Sequence, residues 1–400
     1  MSASALGVAV IGAGMAGKAH AAAYRSASSV FEPVLPPVRL VSIADIHEPA
    51  ARAAAQRFGY SRHDTSWQAI VDADDIDVVS VVVANALHRP IVQALLAAGK
   101  HVLCEKPLTD SLDEARAMVA AADASPMVAR VGLTYRRSPG PAFIRDLVRN
   151  GTLGTVLNFS GHYWTEYGCD PNAPISWRYQ GPPGSGALAD VGSHLTYLAE
   201  FITGSDIRDV RGGLLSTVIA SRPVPVGAVV GHEGGEVTSE RVAVTNDDVA
   251  AYSALFANGA SGTLQVSRVA AGHPNTLAFE VFGDRGAAGF DFRNPSVVQL
   301  NLADPATDAG RGLSGYRSVI LGPEHPYWRG GLAMDAPGVG IGQNEGFVFQ
   351  ARAMLEEVAG IPESDGLPRN ASFREGLHNM LIIDAVAASA AGGGVTITVD

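Results

Sequence analysis

Short apolar runs alternate with helix-like patterns over the first third of the chain. Between the runs, apolar residues recur at spacings of three and four, which is typical of helices. Strand–helix alternation produces right-handed crossovers, so the pattern predicts a parallel, doubly wound sheet. The predicted strands are Gly7–Ile11, Val38–Ala44, Val78–Val83, His101–Cys104 and Met127–Val131, and the predicted helices are Met15–Tyr24, Pro49–Phe58, Pro90–Ala98 and one opened by the capping box Ser111–Glu114.

The pattern changes after Tyr135, where strand-like segments follow one another. Asn258-Gly259 and Asp284–Gly286 have the composition of hairpin turns. Consecutive hairpins predict a mainly antiparallel sheet with one open face. The predicted strands of this part are Val156–Ser160, Val210–Leu215, Val249–Phe256, Ser261–Val266 and Leu277–Phe282, accompanied by helices at Pro141–Asn150 and Phe373–Ala390 and an exposed loop at Gly231–Arg241.

The expected fold is α/β in two domains. Residues 1–134 are predicted to form a doubly wound parallel sheet of the Rossmann type, which binds a dinucleotide. Residues 135–400 are predicted to form an α+β domain with a large, open-faced, mainly antiparallel sheet that binds substrate. A chain of 400 residues, 47% of them hydrophobic, is long enough to bury two cores of this kind.

Charge and cysteine usage narrow the class of protein. The net charge is -11 without any block of Lys and Arg, which argues against nucleic acid and anionic membranes as partners. Leu6–Ile11 lacks the basic residues that precede the core of a signal peptide, and no run reaches the roughly 18 apolar residues of a membrane helix. Cys104 and Cys169 make no disulfide framework, so a cytoplasmic location is expected.

A glycine motif follows the first predicted strand and opens the first predicted helix. Gly12, Gly14 and Gly17 fit GxGxxG, with Met15 and Ala16 between the last two glycines. In this context the first glycine makes a tight turn, the second lets the backbone approach a pyrophosphate, and the third lets helix and strand pack closely. These five residues are predicted to bind a dinucleotide. The alternative is an ordinary glycine-rich turn.

Asp45 ends the second predicted strand, where a carboxylate can accept both ribose hydroxyls of NAD and repel the 2′-phosphate of NADP. Ile46 and His47 supply no arginine for that phosphate. NAD is therefore predicted over NADP. The interval from the glycines to Asp45 is longer than usual because Ser26–Pro37 is predicted to be an inserted loop. The alternative is that Asp45 is a solvated turn residue.

Two further segments carry candidate chemistry. Lys106 follows a strand of the predicted parallel sheet, at the edge where such sheets place ligands, and its cation could stabilise the charge on an alcohol oxygen that loses its proton. Asp190 and His194 share one face of a predicted helix, an arrangement that suits a base for a hydroxyl proton. The alternatives are a surface lysine and a histidine paired only for stability. Without HExxH, paired cysteines or GxSxG, neither a catalytic metal nor a serine hydrolase is predicted.

Together these motifs resemble the Gfo/Idh/MocA family of sugar and inositol dehydrogenases. The likeness rests on Gly12–Gly17, Glu105-Lys106-Pro107 and Asp190-x-x-x-His194, and it covers nearly the whole chain. It implies that His194 is the base, Lys106 an electrostatic helper, and Asp190 a residue that binds or positions substrate. It extends to further residues, of which Asn85, His88, Glu105, Lys106, Trp177 and Arg178 are expected to bind the cofactor, and Lys106, Tyr135, Arg136, Tyr163, Asp190 and His194 the substrate.

Within the family, the chain is most similar to the branch that oxidises a ring hydroxyl at C3 of levoglucosan and related glycosides. Tyr163, Trp177-Arg178 and Gly322–Pro326 support this branch. Ala84 stands where the family often has proline, and Tyr197 where many members have an aspartate after the histidine. The missing carboxylate makes inositol a less favoured substrate than a glycoside or an anhydrosugar.

Three functions are compatible with these residues. The favoured one is reversible hydride transfer between a secondary alcohol of a carbohydrate or polyol and NAD. A non-catalytic sugar sensor is disfavoured because Lys106, Asp190 and His194 are all present. A glycosidase that oxidises and re-reduces its substrate with a retained NAD stays open. The aromatic residues between Tyr163 and Tyr179 could form a wall for sugar or nicotinamide, or a core cluster. The resemblance also implies a homo-oligomer, a tetramer or a dimer, that uses the open sheet.

Overall fold

The computed structural model describes residues 5–32, 34–227, 235–302 and 315–400. It separates into two compact units, Met1–Ser138 with Tyr327–His378, and Pro139–Pro326 with Asn379–Asp400. Each unit thus draws on two stretches of chain, whereas the sequence division used one boundary after residue 134. As a division into a nucleotide-binding and a substrate-binding part, that boundary stays a prediction.

The first unit contains a seven-stranded sheet. Its strands are β1 (Leu6–Ile11), β2 (Val38–Ala44), β3 (Arg62–Asp64), β4 (Val78–Val81), β5 (His101–Cys104), β6 (Ala129–Val131) and β17 (Ala371–Ser372). The order is β17-β6-β5-β4-β1-β2-β3, and every pair is parallel except β17 with β6. Because the chain winds outward from β1 in both directions, the doubly wound parallel sheet predicted from the sequence is confirmed.

The helices of this unit are α1 (Met15–Ala27), α2 (Glu48–Phe58), α3 (Gln68–Val71), α4 (His88–Ala97), α5 (Leu112–Asp123), α8 (Gln343–Val358) and the start of α9 (Phe373–Ala391). The capping box is confirmed at its first residue, since the Ser111 side chain accepts a hydrogen bond from the backbone N–H of Glu114. The sequence pattern had assigned no element to α8. This helix packs on α1 and buries Arg352 and Glu356 as an ion pair, which interrupts the apolar stripe that would have revealed it.

The second unit contains a nine-stranded sheet with the order β16-β15-β14-β13-β7-β12-β11-β8-β18. Its strands are β7 (Val156–Trp164), β8 (Ile207–Ser216), β11 (Val249–Phe256), β12 (Ser261–Ser267), β13 (Thr276–Gly283), β14 (Gly286–Asp291), β15 (Val297–Leu302), β16 (Arg317–Ile320) and β18 (Ile397–Thr398). All neighbours are antiparallel except β7 and β12. Both predicted hairpins are present, and α6 (Pro139–Arg149) and α7 (Ser193–Thr203) pack on this sheet.

The exposure predicted for Gly231–Arg241 is confirmed over residues 235–241, but the prediction of a loop is wrong from Val237 onward. Val237–Ala243 is strand β10, which pairs with β9 (Ser221–Pro225) in a separate two-stranded sheet, whereas residues 231–234 lie outside the described residues. Nearly every side chain of β10 is exposed, so its sequence shows no alternation of apolar and polar residues. Within the described ranges, no helix is both long and apolar enough to cross a membrane.

Candidate functional site

The glycine motif forms the turn between β1 and α1, and its three glycines have different surroundings. A Cβ on Gly12 would lie 2.0 Å from the carbonyl oxygen of Val82, and one on Gly17 would lie 1.9 Å from that of Gly12. Gly12 also has a φ of 110°, which favours glycine. A Cβ on Gly14 would meet no atom within 4 Å. Two glycines are therefore required for packing, and the third faces open space.

That open space lies at the N-terminus of α1. The helix begins at Met15, Gly14 is its N-cap, and no side chain caps it. The first backbone N–H groups of a helix have no intrahelical acceptor and carry a partial positive charge. These donors, beside the open space at Gly14, fit a pyrophosphate group. The residues present therefore fit the dinucleotide that the motif predicts.

Asp45 follows β2 and is tied to the glycine turn. Its Oδ2 accepts a hydrogen bond of 2.8 Å from the N–H of Ala13, and its Oδ1 accepts one of 2.9 Å from the N–H of His47. Each oxygen of an ionised carboxylate has more than one acceptor position, so both oxygens keep capacity for a further donor. Asp45 is thus a turn-forming residue that can still accept hydrogen bonds from ribose hydroxyls.

Lys106 stands directly after β5, at the carboxyl end of the parallel sheet, and is half-buried. The carboxylate of the neighbouring Glu105 connects the backbone of Lys106 with the ring of His20. Its Oε2 accepts a hydrogen bond of 3.1 Å from the backbone N–H of Lys106, and its Oε1 lies 2.9 Å from Nε2 of His20. The backbone of Lys106 is therefore held in place by a side-chain hydrogen bond.

Asn85 and His88, both predicted to bind the cofactor, follow β4. Asn85 begins a short 3-10 turn and is half-buried. His88 is completely buried, and its ring nitrogens lie 3.1 Å from the carbonyl oxygens of Leu108 and Val83. Burial lowers the pKa of His88. These contacts join the segments that follow β4 and β5, and a direct role of His88 in cofactor binding stays a prediction.

Tyr135 and Arg136 lie in a 3-10 turn after β6, the strand that neighbours β5. The hydroxyl of Tyr135 accepts a hydrogen bond of 3.1 Å from the side-chain amide of Gln343. Arg136 pairs with Glu375 at 3.2 Å. Both predicted substrate-binding residues therefore lie at the carboxyl end of the parallel strands, as Lys106 does.

In the second unit, a π-helical turn at Leu188–Gly192 holds Asp190 and leads into α7, whose first turn holds His194. The preceding glycine loop is fixed by a carboxylate that the sequence analysis had missed. Asp247 accepts hydrogen bonds from the backbone N–H groups of Gly184, Gly186 and Leu188 at 2.8–3.0 Å. The predicted helical placement of Asp190 and His194 is therefore confirmed, with a wider turn than expected.

Asp190 accepts a hydrogen bond of 2.8 Å from the hydroxyl of Tyr167. Burial raises the pKa of Tyr167 well above its usual value, and the neighbouring charge of Asp190 raises it further, so the phenol stays protonated and donates. From the sequence, Tyr167 is only one of the aromatic residues between Tyr163 and Tyr179 and has no specific role. Tyr167 therefore orients one of the three predicted catalytic side chains.

The ring of His194 lies 6.1 Å from that of Tyr163, measured between ring centroids. The Tyr163 hydroxyl in turn donates a hydrogen bond of 2.8 Å to the side-chain oxygen of Asn275. The second unit thus brings a predicted base and a predicted substrate-binding tyrosine together. Asn275 had not been found from the sequence, because 112 residues separate it from Tyr163.

Trp177 and Arg178 occupy a short 3-10 turn, with the Arg178 guanidinium 4.3 Å above the indole ring. The Trp177 side chain is 68% exposed. The neighbouring Tyr179 is buried against the guanidinium groups of Arg222 and Arg268, at 3.9 and 4.6 Å. The predicted aromatic cluster thus contains a buried tyrosine, Tyr179, and an exposed tryptophan, Trp177, whose ring is accessible to a ligand.

Comparison with protein families gives two matches. Residues 6–133 match the model of the Gfo/Idh/MocA oxidoreductase family with its NAD-binding Rossmann fold. Residues 142–289 match the model of the C-terminal domain of the same family.

Several named proteins are similar to the chain. Levoglucosan dehydrogenase of Pseudarthrobacter phenanthrenivorans is 36% identical over 391 residues, which cover 96% of each chain. A dTDP-3,4-didehydro-2,6-dideoxy-alpha-D-glucose 3-reductase of Streptomyces violaceoruber is 33% identical over 247 residues, which cover 60% of this chain and 69% of the reductase.

Solved structures agree with these matches. Levoglucosan dehydrogenase in complex with NADH and levoglucosan is 33% identical, with a TM-score of 0.85 over 99% of this chain and 100% of that one. An oxidoreductase domain protein from Kribbella flavida is 35% identical, with a TM-score of 0.86 over 99% and 100%. An inositol dehydrogenase homologue from Azotobacter vinelandii, at 21% identity over 99% and 98% with a TM-score of 0.77, shares the fold.

Proposed function

The chain belongs to the Gfo/Idh/MocA family of NAD-binding oxidoreductases, and we propose that it oxidises a secondary ring hydroxyl of an anhydrosugar, sugar or glycoside to a ketone. One observation carries this proposal. The chain retains Lys106, Asp190 and His194 while it resembles a levoglucosan dehydrogenase over 96% of its length. A sensor would not need all three groups.

Each of the three side chains has a proposed task. His194 accepts the proton of the substrate hydroxyl, and Asp190, held by Tyr167, binds and orients the substrate. Lys106 stabilises the negative charge that develops on the hydroxyl oxygen. The glycine turn Gly12–Gly17 and Asp45 would hold NAD, which would supply the hydride acceptor, so that alcohol and NAD would yield ketone, NADH and a proton.

The substrate class follows from the position after the proposed base. Tyr197, three residues beyond His194, is 4% exposed and its ring stacks with that of Phe201. A buried tyrosine at this position offers no carboxylate to a polyol. This supports an anhydrosugar or a glycoside over inositol, in agreement with the similarity to levoglucosan dehydrogenase.

A panel assay tests the proposal. Purified protein is incubated with NAD or NADP and with levoglucosan, other anhydrosugars, glycosides, aldoses and inositols, and reduced nicotinamide is followed by its absorbance. We expect turnover with NAD and with anhydrosugars or glycosides. NADH binding without turnover would favour the sensor, and sugar hydrolysis without NADH release would favour a glycosidase with a recycled cofactor.

Asp45 should decide the choice of nucleotide. In Asp45→Asn the carboxylate charge that repels a 2′-phosphate is lost, so the affinity for NADPH relative to NADH should rise about 10-fold. Fluorescence titrations with both nucleotides measure this ratio. The control is Glu48→Gln, which removes a nearby exposed charge that pairs with Arg52. An equal ratio in wild type and Asp45→Asn would contradict the role of Asp45.

Tyr167→Phe tests the orientation of Asp190. Loss of the hydroxyl removes the hydrogen bond from Tyr167 to Oδ2 of Asp190, and kcat/KM should fall about 10-fold because a charge-assisted hydrogen bond contributes roughly 1.5 kcal/mol. Tyr316→Phe is the matched control, since Tyr316 is an exposed tyrosine that is not among the predicted site residues. Steady-state kinetics decide, and an unchanged kcat/KM in Tyr167→Phe would rule out this orienting role.

The assembly is a further part of the proposal. Along β12, Ser261, Thr263 and Gln265 are exposed while the alternate residues are buried, as on a sheet with one uncovered face. This supports the homo-oligomer that the family resemblance implies. Light scattering after size-exclusion chromatography should give the mass of a dimer or a tetramer of this 41.4 kDa chain.

A further inference from the structure

A chain of buried hydrogen bonds runs from α1 to the backbone of Lys106. The Tyr24 hydroxyl lies 3.0 Å from Oγ of Ser80, and that Oγ lies 2.9 Å from Nδ1 of His20. His20 Nε2 then lies 2.9 Å from Oε1 of Glu105. The other carboxylate oxygen of Glu105 accepts the backbone N–H of Lys106 at 3.1 Å.

One set of directions satisfies every bond of this network with a neutral His20 ring. The ionised form of a carboxylate only accepts hydrogen bonds, so Nε2 of His20 donates to Glu105, and Nδ1 of the neutral ring is an acceptor. Ser80 then donates to Nδ1, and Tyr24 donates to Ser80. Burial raises the pKa of Tyr24 to about 12, so its hydroxyl remains a donor. With this set of directions, each group has a partner.

The side chains of this hydrogen-bond network are closely packed and have little conformational freedom. Tyr24, Ser80 and His20 are at most 2% exposed, and the His20 ring packs against that of Phe347 at 5.4 Å. The Glu105 carboxylate fills the space that a side chain on residue 132 would need, since a Cβ on Gly132 would lie 2.3 Å from Oε1. The carboxylate is therefore held by hydrogen bonds at both oxygens and by packing.

A requirement for stability alone does not account for this arrangement. An apolar core of similar volume is generally at least as stable as a buried polar chain, which must satisfy every donor and acceptor. A buried polar chain does, however, define the position of the group at its end. Here that group is the backbone N–H of Lys106. The side chain that extends from this backbone position is long and has much conformational freedom.

We propose that Tyr24, Ser80 and His20 are positioning residues that hold Glu105 and thereby direct the side chain of Lys106 toward the reacting oxygen. The inference rests on the proposed function of Lys106. His20 lies three residues after the last glycine of the dinucleotide motif, on the same helix. The network therefore connects the element that binds the nucleotide with the lysine that acts on the substrate.

Kinetics in two backgrounds test the inference. Ser80→Ala should lower kcat about 10-fold, His20→Leu about 100-fold and Tyr24→Phe about 3-fold. His20→Gln keeps an N–H near the position of Nε2, so its kcat should be higher than that of His20→Leu. In a Lys106→Ala background the same changes should alter kcat by less than about 2-fold, because residues that act through one group are not additive. Equal losses in both backgrounds would overturn the inference and indicate a scaffold.

A second readout does not depend on activity. The chain has three lysines, Lys18, Lys100 and Lys106, so reductive methylation with labelled formaldehyde gives few NMR signals. In Ser80→Ala and His20→Leu the Lys106 signal should shift or broaden, while that of the exposed Lys18, on the same helix as His20, should stay in place. An unchanged Lys106 signal would overturn the inference.

The two readouts separate failure of the inference from failure of the proposed function. If wild type oxidises a sugar but the variants match it in kcat and in the Lys106 signal, the network has no positioning role and the proposed function stands. If wild type oxidises no sugar, the proposed function fails, and the Lys106 signal alone decides whether the network positions this side chain.

Discussion

Replacing Lys106 or His194 by alanine should lower kcat for sugar oxidation by about three orders of magnitude, since loss of a general base or of a preorganised charge typically costs 10²–10⁴-fold. Both side chains are half-buried and stand on ordered elements, Lys106 after β5 and His194 in the first turn of α7. We expect both variants to fold, so the loss should fall on the chemical step.

The measurement is single-turnover formation of NADH, combined with NADH titration by fluorescence. We expect the Kd for NADH to change by less than about 5-fold in His194→Ala, because the residues proposed to contact the phosphates and the ribose are those of the glycine turn and Asp45. Lys18→Ala is a matched control for a lost lysine. Wild-type kcat in Lys106→Ala or His194→Ala would refute the assigned roles.

Two substitutions in the glycine motif should have separate effects, one on the stability of the fold and the other on nucleotide binding. A Cβ on Gly12 would lie 2.0 Å from a backbone oxygen at a φ of 110°, so Gly12→Ala should lower the free energy of unfolding by about 3 kcal/mol or more. Gly14→Ala places its methyl group in open space and should leave that free energy within about 0.5 kcal/mol. The same methyl group should weaken NADH binding at least about 10-fold, because it occupies the space where the pyrophosphate is proposed to approach the backbone.

Denaturant unfolding without nucleotide and fluorescence titration of NADH test this pair of variants. The comparison is internal, since both variants add one methyl group to the same turn. Gly12→Ala with wild-type stability would show that the turn can relax away from the Val82 oxygen. Gly14→Ala with wild-type affinity would show that the pyrophosphate lies elsewhere.

Local patterns were sufficient to predict five of the seven strands in the sheet of the first unit, and the short strands β3 and β17 were missed. β2 and β5 have the predicted bounds, because a β-branched run between turn residues indicates a buried strand. β4 ends at Val81 instead of Val83, since the backbone at Val82 lies against the turn at Gly12. Periodicity alone does not show where a strand meets another turn.

The predicted insertion Ser26–Pro37 has a structural basis that the local sequence did not reveal. Helix α1 continues to Ala27, and Phe31 then adopts a positive φ of 59°. The backbone N–H of Phe31 donates to the carbonyl oxygen of Gly330, and its ring packs on that of Phe349. The extra residues thus contact a segment some 300 positions later, which rejoins the first unit.

The missed residues of the candidate site share one property. Tyr167, Asp247 and Asn275 act on partners 23, 59–63 and 112 residues away. Hydrogen bonds over such separations depend on sheet register and loop geometry, which a single sequence does not encode as a spacing. The motif residues could be proposed from the sequence because each motif is defined by neighbouring residues, and their roles stay predictions.

The most direct test of the central claim follows the hydrogen that is transferred. Levoglucosan deuterated at C3 is incubated with the protein and NAD, and the products are analysed by mass spectrometry. The proposed dehydrogenase should release deuterated NADH and one molecule of ketone for each molecule of labelled nucleotide. If the deuterium stays in the sugar, intact or hydrolysed, and no labelled nucleotide is released, the protein is not a dehydrogenase of this sugar position.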